Sequence, residues 1–190
     1  MKLVILDRDG TINSDSDDFV KTPDEWLPLP GALEAIARLN HAGWHVVIAS
    51  NQSGLGRGLF DVVSLNAMHA KMQKLLAVQG GRIDAVFFCP HTADENCHCR
   101  KPRSGLFEQI GMRFGVQLAG VPTVGDSVRD VQAGAAVGCE PHLVLTGKSE
   151  QYRGMAPPEG LPPGTVVHQD LSAFADFILA RSAQPLPMAI

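Results

Sequence analysis

A doubly wound α/β architecture, a parallel sheet with helices on both faces, is what this chain predicts. Two patterns carry the prediction. Short apolar runs rich in β-branched residues alternate with segments whose apolar residues recur at helical spacing. The first of these runs, Leu3-Val4-Ile5-Leu6, ends abruptly on the acids of Asp7-Arg8-Asp9-Gly10, and the carboxyl tips of the strands are where an open α/β sheet binds its ligands. A chain of 190 residues, 45% of them hydrophobic, has the apolar material for one sizeable core.

The elements follow in order. A strand buried on both faces spans residues 2–6, and Gly10 permits the sharp turn after it. Pro30-Gly31 introduces a helix carrying Ala32, Leu33, Ile36 and Leu39 on one face, stopped near Gly43. A second strand, 45–50, ends on Ser50. Asp61 is placed to cap a helix whose stripe of Leu65, Met68, Met72, Leu75 and Leu76 reads as core. After a third strand at 85–89, Ser104 opens a helix with Leu106, Phe107, Ile110 and Phe114. Strand 121–125 leads into a helix over 128–136, whose N-terminus aims positive potential at the crevice. Strand 142–146 follows, then a Pro- and Gly-rich loop, Met155 to Gly164, a weaker sixth strand at 165–168 and an amphipathic helix at 171–181. One domain, 1–182, and a frayed tail, 183–190, complete the expected organisation.

Two carboxylates at i and i+2 of an extended segment share one face, so Asp7 and Asp9 meet the same small volume. Such a pair can hold Mg²⁺, attack phosphorus and shuttle a proton. Taken alone, Asp-x-Asp-Gly is equally a polar turn or a calcium loop. A second cluster, Cys89-x-His91-x5-Cys97-x-Cys99, gathers three thiols and an imidazole in eleven residues, the ligand set of a closed structural zinc site. His98 is an alternative to His91, and three incidental thiols remain the plain reading. Cys139 stands apart and reads as a small core hydrophobe. A net charge of −4 and a pI near 5.9 leave no basic stripe for nucleic acid. No secretory h-region or membrane-length apolar run is present in the sequence, so a cytoplasmic location is expected.

The motif Asp7-Arg8-Asp9-Gly10-Thr11 after an apolar strand resembles the first motif of the haloacid dehalogenase (HAD) superfamily of phosphatases. Ile48-Ala49-Ser50-Asn51 is similar to the second, Lys101 is placed like the third-motif lysine, and Val124-Gly125-Asp126-Ser127-Val128-Arg129-Asp130 resembles the fourth. Their joint order is far more specific than any one of them. Ser50-Asn51-Gln52-Ser53-Gly54, Arg57-Gly58, Cys89-Pro90-His91 and Cys97-His98-Cys99-Arg100-Lys101-Pro102 narrow the resemblance to the heptose bisphosphate and histidinol-phosphate phosphatases within it.

The resemblance implies Asp7 as nucleophile, Asp9 as general acid and base, and Mg²⁺ held by Asp7, Asp9 through its main-chain carbonyl, and Asp126. Ser50, Asn51, Gln52, Ser53, Arg100 and Lys101 are implied in phosphate and substrate binding. Asp130 either supports the metal or orients Lys101, and a plain surface acid is as fair a reading. The resemblance also favours Cys89, His91, Cys97 and Cys99 as ligands of a structural Zn²⁺. It implies a monomer acting on a small phosphorylated sugar, the 7-phosphate of a heptose 1,7-bisphosphate, on the way to an ADP- or GDP-heptose precursor. The gaps between motifs are too short for a large cap domain, so the loops Asp15 to Phe19 and Gln52 to Arg57, with the cysteine loop, must close the pocket. The loop Ser14 to Val20 departs from the Asp-x-Gly-Tyr-Val run usual in the heptose enzymes, leaving the anomer open. Two rivals stand: a histidinol-phosphate phosphatase using Asp15, Asp17 and Asp18 to hold an amine, and a non-catalytic phosphosugar-binding module.

Overall fold

The structure, a computed structural model, describes residues 1–183. The expected tail lies outside them except for Ala183, the last residue of the final helix. Six strands form the sheet: β1 (Lys2–Leu6), β2 (Trp44–Asn51), β3 (Ala85–Cys89), β4 (Pro122–Gly125), β5 (Glu140–Val144) and β6 (Val166–His168). All pairs are parallel and the order is β3-β2-β1-β4-β5-β6. The order reverses between β1 and β4, and a crevice opens at such a switch point beyond the strand tips. Leu6 is level with Ile48 on one side and Val124 on the other. Asp7, Ser50 and Asp126 therefore stand at nearly the same height at the strand tips.

The alternation of side chains along each strand sorts the core into two layers. Val4, Leu6, Val46 and Ile48 face α1 (Ala32–His41), α3 (Val62–Val78) and α6 (Leu171–Ala183), meeting Ile36, Leu39, Met68, Met72 and Phe174. Leu3, Ile5, Val47 and Ala49 face the other way, against Leu106, Phe107 and Ile110 of α4 (Gly105–Phe114) and Ala133 of α5 (Val128–Ala135). Helix boundaries follow local chemistry. Gly31 takes a left-handed φ of 73° before α1, and the Asp61 carboxylate accepts the Ser64 N–H at 2.8 Å at the start of α3. The long segment between β1 and α1 is anchored by Trp26, wholly buried, and by the Lys71 ammonium, which donates to the carbonyls of Pro23 and Trp26 at 2.6 and 2.8 Å.

Three elements lie outside the sequence expectation: the short α2 (Ser53–Gly56) and 3₁₀ turns at Ala93–Glu95 and Gly147–Tyr152. Each is too short to show a period. β5 begins two residues earlier than the expected 142, taking in Pro141. β6 pairs only His142–Val144, so Pro141 is paired on one side alone, where a missing N–H is tolerated. Among the described residues no helix is long and apolar enough to cross a membrane.

Candidate active site

The tips of β1, β2 and β4, with the turns that follow them, enclose a cavity of about 250 Å³. Asp7, Asp9, Ser50, Asn51, Gln52, Ser53, Arg100, Lys101 and Asp126, the residues expected to bind phosphate, metal and substrate, all line it. Lys101, 2% exposed, is its buried centre of positive charge. Its ammonium donates to Asp7 Oδ1 at 2.8 Å and to the Ala49 carbonyl at 2.7 Å, and pairs with Asp130 Oδ1 at 2.7 Å. Burial works against that charge, yet Asp130 and Asp7 override it and hold the lysine well above its usual range.

Asp130 is thus a site residue. Its other oxygen accepts the Ser127 N–H at 2.9 Å and the Ser127 hydroxyl at 2.6 Å. That pair is also the capping box of α5, so the helix start and the lysine partner are one device. Asn51 clamps the same lysine from the main chain. Its Nδ2 donates to the Lys101 carbonyl at 3.1 Å and its Oδ1 accepts the Lys101 N–H at 3.0 Å.

The carboxylates of Asp7, Asp126 and Asp130 lie within 4.8 Å of one another. Burial first, then neighbouring acids, push Asp7 up to about 7 against the pull of Lys101. Burial, with Asp130 and Asp7 beside it, raises Asp126 well above the usual carboxylate range. Three acids facing one lysine leave excess negative charge in a low-dielectric pocket, and hard oxygen donors of this kind suit a divalent cation such as Mg²⁺. Glycines make room for Asp126. A Cβ on Gly10 (φ 84°) or on Gly147 (φ 50°) would come within 2.2 Å of Asp126 Oδ2. That oxygen also accepts the Lys148 N–H at 2.7 Å.

The Asp9 side chain lies outside this carboxylate cluster. Arg8, fully buried, grips it in a two-pronged pair with Nη2 2.9 Å from both oxygens. Asn13 Nδ2 donates to Oδ1 at 2.8 Å and Gln52 Nε2 to Oδ2 at 2.7 Å. Burial alone would raise Asp9. The Arg8 charge and the hydrogen bonds from Asn13, Arg8 and Gln52 instead lower it. Gln52 Nε2 also donates to the Ser50 hydroxyl at 2.8 Å, leaving the Ser50 proton available to an oxygen in the cavity.

Over the mouth, the Lys148 ammonium pairs with Asp15 at 2.6 Å, and Arg57 stacks on Phe19 with its carbon 5.8 Å from the ring centre. Sequence reasoning does not reach the roles of Arg8, Asn13 and Lys148. Arg8 alone leaves a signal, as a cation set between the two acids Asp7 and Asp9. The four residues expected to hold zinc converge. Cys89–His91, Cys89–Cys97, His91–Cys99 and Cys97–Cys99 are separated by 3.6, 3.5, 3.3 and 3.6 Å. Bonds of about 2.0–2.3 Å to a tetrahedral zinc require edges of roughly 3.3–3.8 Å, so the set fits the ion. His98 points elsewhere, its Nε2 2.9 Å from Glu108.

A family model described as HAD-hydrolase-like matches residues 98–173, and one described as polynucleotide kinase 3 phosphatase matches residues 2–131. Fold, site and these matches define the class: a phosphoric monoester hydrolase of the HAD superfamily. A D-glycero-β-D-manno-heptose-1,7-bisphosphate 7-phosphatase of Bordetella bronchiseptica is 57% identical over 182 residues, 96% of this chain and 100% of the relative. One of Pseudomonas aeruginosa is 51% identical, covering 93% and 97% of the two chains. A solved B. bronchiseptica D,D-heptose 1,7-bisphosphate phosphatase, complexed with magnesium and phosphate, superposes with a TM-score of 0.91 at 56% identity, covering 95% of this chain and 99% of that one. The chain belongs to this family, the heptose-1,7-bisphosphate 7-phosphatases of the HAD superfamily.

Proposed function

We propose that the protein removes the 7-phosphate of D-glycero-D-manno-heptose 1,7-bisphosphate in an Mg²⁺-dependent reaction, supplying a precursor of ADP-heptose and the lipopolysaccharide core. In this reading it acts as a cytoplasmic monomer of one domain, without a cap domain. The observation that carries it is the tip of β1, where Asp7 meets Lys101 on one side and Asp126 on the other, with Asp9 two residues on.

Lys101 engages Asp7 Oδ1, which leaves Oδ2 to attack phosphorus in line and form an aspartyl phosphate. The P–O bond to the oxygen on C7 of the sugar breaks, and Asp9 delivers a proton to that departing oxygen. Asp9 then takes a proton from the water that hydrolyses the acyl phosphate, freeing Asp7. The donors around Asp9 favour its ionised form, and the arriving phosphoryl dianion opposes them, so substrate binding itself favours the protonated acid. The Ser50 hydroxyl, Lys101 and Arg100 stabilise the phosphoryl oxygens as charge moves. Mg²⁺, held by Asp7, Asp126 and the Asp9 carbonyl, would neutralise charge on the phosphoryl group. A structural Zn²⁺ on Cys89, His91, Cys97 and Cys99 would brace the loop that presents Arg100 and Lys101.

A doubly phosphorylated substrate accords with the cations around the cavity, Arg57, Arg100, Arg129 and Lys148. Of the two acids of the 15–18 loop that line the cavity, Asp15 is already paired with Lys148, which leaves Asp17 alone of that loop to meet the amine of histidinol phosphate. The test is phosphate release from both heptose bisphosphate anomers beside histidinol phosphate, in Mg²⁺ with and without chelator. Chelator-sensitive turnover of one heptose anomer is expected. Preference for histidinol phosphate overturns the substrate, and no release from any of them overturns the activity.

A further inference from the structure

Behind Asp9 lies a group that the reaction scheme leaves unused. His69, on the inner part of α3, presents Nε2 to Arg8 Nη1 at 3.2 Å. Arg8 is completely buried and its guanidinium is a rigid fork. The Nε and Nη2 edge grips Asp9, and Nη1 is the remaining arm. A buried donor needs an acceptor. A neutral imidazole with its proton on Nδ1 offers a lone pair at Nε2, and burial, with the charge of Arg8 beside it, pushes His69 down to about 4, so it is neutral at physiological pH. Met68 and Met72, fully buried on either side of His69 in the sequence, lock this part of α3 into the core.

We infer that His69 is a positioning residue for the general acid and base: by accepting from Arg8 it fixes the guanidinium fork, and the fork fixes the direction of the Asp9 carboxylate. The chain of contact runs from a helix in the packed core to a reacting acid that lies three residues beyond the end of β1. A carboxylate that must hand a proton to one oxygen and later take one from water loses rate when its direction wanders, even if it remains in the pocket. His69 does not line the cavity, and its ring meets Arg8. Its effect must therefore fall on proton transfer and leave phosphate binding intact.

The inference rests on the phosphatase reading above, with Asp9 as acid and base. Two variants test it: His69→Leu, which keeps volume and helix propensity but removes the acceptor, and His69→Gln, which restores one. For a sugar phosphate, whose leaving oxygen needs a proton, His69→Leu should lower kcat about tenfold with KM unchanged, a fraction of what a general acid supplies. For p-nitrophenyl phosphate, whose leaving group departs without much help, the loss should be under about twofold. His69→Gln should recover most of the sugar-phosphate rate. Equal loss on both substrates, or none on either, overturns the inference. A second readout stands apart from turnover: the Arg8 Nε–H signal in ¹H–¹⁵N spectra should be sharp and slowly exchanging in the parent and His69→Gln, and broadened in His69→Leu. An unchanged signal in His69→Leu overturns the inference whatever the substrate proves to be. Failure of the parent protein to hydrolyse heptose bisphosphate counts against the proposed function alone.

Discussion

Single atoms decide this site, and the sharpest example is the carboxylate of Asp7. Replacing it by Asn keeps the shape and the Lys101 contact but removes the proposed nucleophile. Asp7→Asn should abolish phosphate release while preserving the circular dichroism spectrum and melting transition of the parent. Retained turnover would refute an aspartyl-phosphate route. Gly147 offers a subtler case. Its φ is 50°, and a Cβ there would stand 2.2 Å from Asp126 Oδ2 and 2.6 Å from the Gly10 Cα, so a methyl group must displace the carboxylate or the turn. Gly147→Ala should raise the Mg²⁺ concentration for half-maximal activity by about 10- to 100-fold, the range seen when support of a metal ligand is lost. An unchanged Mg²⁺ titration would show that Asp126 tolerates the shift.

Secondary-structure elements contribute through their ends and seams. The start of α5 is tied to the cavity because the Asp130 that completes its capping box also pairs with Lys101. Ser127→Ala should cost about 1 kcal/mol of stability, as cap losses do, and should also lower kcat by freeing Asp130 to turn; a melting curve and a kcat measurement separate the two. At the far edge of the sheet, His142 on β5 and His168 on β6 share a 3.0 Å contact beneath Phe174 and Phe177 of α6. His142 Nε2 lies 3.5 Å from Glu140 without hydrogen-bond geometry, and Arg181 of α6 pairs with Glu140. Burial first, then the charge of His168 and, more weakly, Arg181, against the pull of Glu140, lower His142 to about 4. The unfolded chain binds this proton near pH 6.5 and the folded one only near 4, so stability is complete above about 6.5 and falls as pH drops towards 4. The loss is on the order of 3 kcal/mol. Melting temperature against pH should show this slope in the parent and a flatter one in His142→Phe.

Over the whole molecule, one loop links the Cys/His cluster to the cavity. Cys97 and Cys99 precede Arg100 and Lys101 directly, so whatever braces the sulfur cluster also sets the cations of the cavity. Cys97→Ala should bind less than one zinc per chain by elemental analysis, expose the loop 89–104 to proteolysis and lower activity; full zinc content would overturn the ligand assignment. Much of this was legible in the sequence, because strand periodicity, the helix faces around Ile36, Met68 and Phe107, and the spacing of acids, thiols and Lys101 are local or ordered patterns. A run such as Leu3 to Leu6 announces a strand buried on both faces, and Asp7 announces its tip. What only the tertiary structure decided is partnership. The strand order that sets β1 beside β4, the division of Asp7, Asp126 and Asp130 from Asp9, the clamp of Asn51 on Lys101 and the His69–Arg8 contact all join residues far apart in the chain. Periodicity reports which face of an element is buried, not which face it meets, and a hydrogen bond between residues 61 positions apart leaves no trace until packing brings their elements together.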